Sequence, residues 1–249
     1  MTPSVAIAVG LVALLYAAVG HAGATGYTAV MAIAGLPPEV VRPTSLMLNI
    51  LVATIGTVQF ARAGHFRRGL FLPLAAASVP CAALGGATRL PTGAFETLLA
   101  AVLLVSAGRI VVEALGGTTG GEESAGGVPS RPLLMPASLA VGAAIGLLSG
   151  LTGVVGGVFL TPVLLAMKVA PVRQVAAVTA PFILVNSAAG LAGGLVGGGS
   201  LPTLGLTAPA MAALGGLVGS QLGAFRLPVR ALRLLLAAVL TVASIKLLG

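Results

Sequence analysis

Two glycine clusters interrupt the longest apolar runs of this 249-residue chain, and each carries polar side chains able to touch a solute. The first reads Gly20-His21-Ala22-Gly23-Ala24-Thr25-Gly26. The second reads Gly150-Leu151-Thr152-Gly153-Val154-Val155-Gly156, with Gly157 following. Glycine permits a tight turn and lets backbone approach a ligand closely. A helix interrupted there leaves unbonded N–H groups at the start of its second half. With the positive end of the helix dipole they form an anion site that needs no charged side chain. His21 adds a donor or a proton carrier; its alternative role is to bond a freed backbone carbonyl. Thr25 and Thr152 offer hydroxyls, which in helices often bond back to their own turn. Asn49 and Asn186 occupy matching places in the next apolar run, where they meet the ligand or bond between helices. Thr44, Ser45 and Thr179 are weaker candidates of the same kind. Cys81 is the single cysteine, and a small apolar filler is its simplest role.

Other chemistry is poorly supplied. The acids are Glu39, Glu96, Glu113, Glu122 and Glu123, and there is no Asp. All lie in or near breaks between apolar runs, so carboxylate proton relays and carboxylate cation sites are disfavoured. Two histidines without an H-E-x-x-H pattern leave little for a metal or for acid–base catalysis. No G-x-S-x-G elbow is present. The expectation is a protein that is not an enzyme and uses no metal and no cofactor.

The surrounding composition says where such a site must sit. Hydrophobic residues make up 57% and charged residues 7% of the chain, and mean hydropathy is +1.12. A soluble domain carries about 25% charge, so this is an integral membrane protein and its solvent is the lipid bilayer. The net charge of +8 does not point to nucleic acid, because the bases are scattered between apolar runs and form no basic face.

Charges and Pro/Gly clusters cut the chain into spans. Pro43 to Ala61, Gly69 to Ala87, Phe95 to Leu115, Gln174 to Val196, Leu204 to Phe225 and Val229 to Leu248 are each about one bilayer long, at roughly 20 residues per crossing. Thr2 to Leu36 and Leu133 to Met167 are too long for one span and short for two. The glycine clusters break both in the middle. Ala22-Gly23-Ala24 mimics a signal-peptidase site, but no Lys or Arg precedes it, so the stretch is expected to be retained. Between the halves runs GGTTGGEESAGGVPSRP, a flexible polar linker.

The halves correspond. The glycine clusters overlay at an offset of 130, and Asn49 with Asn186, Gly56 with Gly193, and Gly86 with Gly223 at an offset of 137. The expected organisation is a first transmembrane repeat over 1–115, a linker over 116–132 and a second repeat over 133–249. Charge placement orients them. If each broken element is a re-entrant hairpin, Arg62, Arg67, Arg68, Arg109, Arg131, Lys168, Arg173, Arg226, Arg230 and Arg233 share one side. Arg42, Arg89 and Lys246 take the other. That is a positive-inside pattern; straight crossings would erase it. The expected fold is therefore all-α, with two inverted repeats of one broken hairpin plus three spans, about eight hydrophobic elements in total. Both termini face outside and the linker is cytoplasmic.

The run Gly150-Leu151-Thr152-Gly153-Val154-Val155-Gly156-Gly157, followed by aliphatic residues and Pro162, resembles the glycine motif of the sulfite exporter TauE/SafE family. Gly20 to Gly26 resembles a weaker copy, without the double glycine or the proline. The resemblance spans nearly the whole chain. It implies a transporter in the cell's inner or plasma membrane that carries small sulfur-containing anions or organic acids, such as sulfite, thiosulfate or sulfonates. Energetics favour export. An anion leaving an inside-negative cell gains about 2.3 kcal/mol per charge per 100 mV. Proton-coupled uptake through His21 and an accessory subunit without transport of its own are the alternatives.

Overall fold

The computed structural model describes residues 2–18, 21–62, 64, 66–115, 135–154, 157–167, 169–170, 172–203 and 205–224. Their regular elements are all α-helices. The order is α1 (Pro3–Ala18), α2 (Ala24–Ile33), α3 (Pro38–Arg62), α4 (Arg68–Ala87), α5 (Thr92–Leu115), α6 (Met135–Thr152), α7 (Gly157–Ala166), α8 (Val172–Val196) and α9 (Thr207–Ala224). The linker 116–132, the span expected over 229–248, and Gly20 and Gly156 lie outside the described residues.

Local chemistry sets the boundaries. Pro38 opens α3, where a missing N–H costs nothing, and Glu39 and Arg62 suit the opposite ends of its dipole. After α2, Gly35 adopts φ 73°. Its N–H bonds the Ala32 carbonyl at 2.9 Å, and the Leu36 N–H bonds that of Met31 at 3.1 Å, a left-handed glycine cap. Gly198, with φ 78°, ends α8 in the same way. Pro43, Pro73, Pro80 and Pro181 sit inside helices, which neighbouring helices tolerate in membrane proteins. Helices α3, α4, α6 and residues 177–196 of α8 are long and apolar enough to cross a bilayer. The chain is a multi-pass, all-α membrane protein.

Glycines set how the helices pack, and the pairings give their directions. A side chain on Gly142, Gly146 or Gly150 of α6 would enter the backbone of Leu74, Ser78 or Ala82 of α4. The partners rise together in steps of four, so α6 and α4 are parallel. Gly86 lies on Gly190, Gly193 on Ala83 and Gly197 on Ala87, so α4 and α8 are parallel too. Gly10 faces Met211 and Gly219 faces Leu14, which makes α1 and α9 parallel. Gly190 faces Leu46 while Gly56 faces Ala180, so α3 and α8 are antiparallel. Small residues spaced in this way bring helix backbones close enough for dense van der Waals contact.

Two consequences bear on the site. Since α6 and α8 run in the same direction, the chain must turn back between them, and the ten-residue α7 makes the return. The second broken element is thus a hairpin. The packing also joins helices far apart in sequence: α1 lies along α9, and α6 along α4. One buried cluster gathers Tyr16, Tyr27, Met31 and Leu46 with Ile183 and Ala212. Another holds Leu74, Ile145, Leu160, Leu164 and Phe182. A third brings Ala29 of α2 and Val154 of the second break onto Phe95, Leu99 and Leu103 of α5.

Candidate functional site

Each glycine break is built around a left-handed residue. In the first, the His21 N–H bonds the Tyr16 carbonyl at 2.9 Å. Gly23 then takes φ 100° and starts α2. A side chain at Gly23 would strike the ring of Tyr27, whose hydroxyl donates to the Ala22 carbonyl at 2.8 Å. The Thr25 hydroxyl is held by that of Tyr16. The N–H groups of Ala24, Thr25 and Gly26 precede the first bond within the helix, from the Tyr27 N–H to the Gly23 carbonyl.

The second break repeats the device. Gly153 takes φ 72°, and its N–H bonds the Ser149 carbonyl at 2.9 Å. The Thr152 hydroxyl donates to the Leu148 carbonyl at 2.7 Å and accepts the Val154 N–H at 3.1 Å. Gly157, at the start of α7, has no room for a side chain against Ile183 and Thr179. Gly23 and Gly153, which the sequence offset of 130 aligns, are both left-handed.

The breaks meet. His21 Nε2 donates to the Gly157 carbonyl at 3.2 Å, across 136 residues of sequence. A carbonyl only accepts, so this bond requires the proton on Nε2. A small cavity of about 20 Å³ adjoins His21, lined also by Val52, Gly56, Gly216 and Ser220.

Beside the breaks runs a group of buried polar atoms. The antiparallel crossing of α3 and α8 sets Asn49 and Asn186 at about the same level, and both are fully buried. Asn186 Nδ2 donates to Ser78 Oγ at 3.0 Å and to the Phe182 carbonyl at 2.8 Å. Asn186 Oδ1, both polar atoms of Asn49, and the hydroxyls of Thr44, Ser45, Ser149 and Ser187 have no partner among the described residues. Leaving one buried polar group unbonded costs about 1–3 kcal/mol, so these atoms call for water or a polar solute as partner. No carboxylate is buried among the described residues; Glu39 is exposed and Glu96 half-buried.

The remaining sequence candidates spread out. Gly150 lies against Ala82 and Gly86 of α4, and Gly26 against Val12 and Tyr16 of α1; both serve helix packing. The Thr179 hydroxyl bonds the Val175 carbonyl at 2.9 Å and lies 3.3 Å from that of Thr161. Cys81 is a free, half-buried thiol on α4.

Sequence reasoning missed Ser149 and Ser187, and it read Arg42 only as a loop charge that reports topology. The Arg42 guanidinium donates to the carbonyls of Gly85 at 2.6 Å, Gly86, and Thr88 at 3.0 Å. Its backbone is what a side chain at Gly153 would meet, 2.9 Å from the carbonyl oxygen. The available signal was its place four residues after the helix-opening Pro38.

A polytopic helical chain whose two interrupted helices meet beside buried, unpartnered polar groups has the build of a membrane transporter. A family model described as sulfite exporter TauE/SafE matches residues 5–247. Over 245 residues, covering 98% of this chain and 96% of the relative, the sequence is 40% identical to "Probable membrane transporter protein y4hK" of Sinorhizobium fredii (strain NBRC 101917 / NGR234). No solved structure matches. The chain belongs to the sulfite exporter TauE/SafE family and is a membrane transporter of that family.

Proposed function

We propose that this chain exports a small anion, a sulfur oxyanion or organosulfonate such as sulfite, through the point where the two breaks meet. The observation that carries the reading is the His21–Gly157 bond between the breaks, in a fold that also buries unpartnered polar groups of Asn49, Ser45 and Ser149. Donors and helix N-termini favour negative charge, and no buried carboxylate among the described residues opposes it. The family description supports the sulfur chemistry. Outward movement needs no coupling ion, because the membrane potential drives an anion out at about 2.3 kcal/mol per charge per 100 mV. Electrically, the first break and the second act as one neutral, donor-rich throat.

The test is flux of sulfite, thiosulfate, sulfoacetate, taurine and sulfate in proteoliposomes containing the purified chain, at imposed potentials of either sign. Selective flux that speeds up when the anion's destination is positive is expected. Flux driven by a pH gradient, and abolished with His21, would replace export by proton-coupled uptake. No flux of any anion would leave the accessory-subunit reading.

A further inference from the structure

At one end of the bundle, the start of α3, the ends of α4 and α8 and the loops after them enclose a cavity of about 340 Å³. Arg42 and Arg89 line it. Arg42 spends its donors on the carbonyls at the end of α4. Among the described residues Arg89 commits only Nε, to the Gly197 carbonyl at 2.9 Å. Both of its terminal nitrogens therefore keep their donors, in the planar fork that suits a carboxylate, sulfonate or other oxyanion. Gly198 makes room for that fork: a side chain there would lie 2.6 Å from an Arg89 terminal nitrogen. Glu39 also lines the cavity and forms no ion pair with either arginine, so the charged side chains of the lining sum to +1. Leu90, Phe95 and Leu195 give it apolar wall, and Thr92 and Ser200 add hydroxyls. The volume reaches the range of small-molecule sites, about 300–1,000 Å³.

We propose that this cavity is an anion-binding vestibule of the transport path. It takes an oxyanion headgroup on the free donors of Arg89, and a short hydrocarbon body along Leu90, Phe95 and Leu195. The floor of the vestibule is Arg42, whose backbone borders Gly153 of the second break. A ligand held there is one residue's thickness from the throat. The inference rests on the reading of the chain as an anion transporter and adds a second, peripheral site to it. By the charge count of the loops, this mouth carries Arg42 and Arg89 and faces outside.

The test is binding of methane-, ethane-, propane- and butanesulfonate to the purified full-length protein by calorimetry, with sulfite flux measured in parallel. Affinity is expected to rise about fourfold per added methylene. Arg89→Gln should weaken every member at least tenfold and raise the KM for flux while kcat is kept. Arg89→Lys should restore part of the loss. Leu195→Ser, on an exposed position, should flatten the chain-length dependence while methanesulfonate binds as before. Affinities that do not depend on chain length, or that Arg89→Gln leaves unchanged, overturn the vestibule. Wild-type sulfite flux in that case keeps the transport reading intact. Binding that follows the expected pattern without flux of any anion keeps the anion-binding cavity but overturns both the anion-transport reading and the cavity's place in a transport path.

Discussion

Replacing Gly153 with alanine gives the sharpest test of the break geometry, because the same fold contains a matched control. Gly153 has φ 72° and Gly35 has φ 73°, so both alanines meet the same left-handed penalty of about 1–2 kcal/mol. They differ in space. Nothing lies within 4 Å of a side chain at Gly35, whereas one at Gly153 would meet Arg42 at 2.9 Å from O and 3.1 Å from Cα and Cγ. Backbone cannot swing aside as a side chain end can, so crowding adds about 1–3 kcal/mol. Gly153→Ala is therefore expected to shift the unfolding equilibrium about 5- to 150-fold further than Gly35→Ala. The two are compared by reversible unfolding in mixed micelles, at matched detergent composition. Flux should fall at least tenfold in Gly153→Ala, because the break and the Arg42 backbone move together, and should hold in Gly35→Ala. Equal destabilisation, or normal flux in Gly153→Ala, would mean that the second break does not bear on α3, and the proposed throat would be wrong.

Other changes separate binding from scaffold. His21→Ala removes the bond to the Gly157 carbonyl, worth about 0.5–1.5 kcal/mol; a loss of stability with a roughly tenfold loss of flux is expected, and unchanged flux would detach the contact between the breaks from transport. Asn49→Leu replaces an unpartnered buried amide with an apolar group of similar size, so stability should hold or rise by about 1–3 kcal/mol while transport is lost; unfolding and flux are measured on the same preparation. Gly193→Ala would drive a methyl into the Ala83 carbonyl and part α4 from α8, lowering folded yield on size-exclusion chromatography, whereas Gly108→Ala, with nothing within 4 Å, should cost nothing. Cys81→Ala should leave flux unchanged; a lost activity would bring the thiol into the chemistry.

The helices were legible because bilayer length and charged breaks both mark them. The run Gly69 to Ala87 differs from α4 by one residue at its start, and Gln174 to Val196 from α8 by two. Pro43 misled at α3: read as a boundary, it lies inside a helix that Pro38 had already opened, and Glu39 and Arg42 belong to its first turns. Both break positions were visible as glycine clusters, yet the clusters mixed two jobs that composition cannot separate. Gly150 continues the series Gly142 and Gly146 at a spacing of four, which is helix packing. Gly153 bends the chain. Only coordinates distinguish a glycine short of space from one short of an allowed φ. The vestibule was hidden for a related reason. Arg42 and Arg89 lie 47 positions apart and meet their carbonyl partners through the fold, so the sequence displayed them only as two more charges near span ends.

The pairing of α6 with α4 and of α1 with α9 also governs how this protein is made. The glycine faces of α4, α6 and α9 close on helices far away in sequence. Gly85 of α4 closes on Leu147, Gly150 and Leu151, and Gly86 on Gly190, which a ribosome reaches about 65 and 105 residues later. At roughly 5–20 residues per second, the α4 surface waits for seconds in lipid before its partner exists. Helix α1 waits for nearly the whole chain. The first half should therefore be a poor folding unit by itself, held open by the insertion machinery or by bare lipid until the second half arrives to complete it. Co-expressed as separate segments, residues 1–115 and 133–249 are expected to reassemble through these same backbone grooves and to co-elute on size-exclusion chromatography, whereas residues 1–115 alone are expected to be lost.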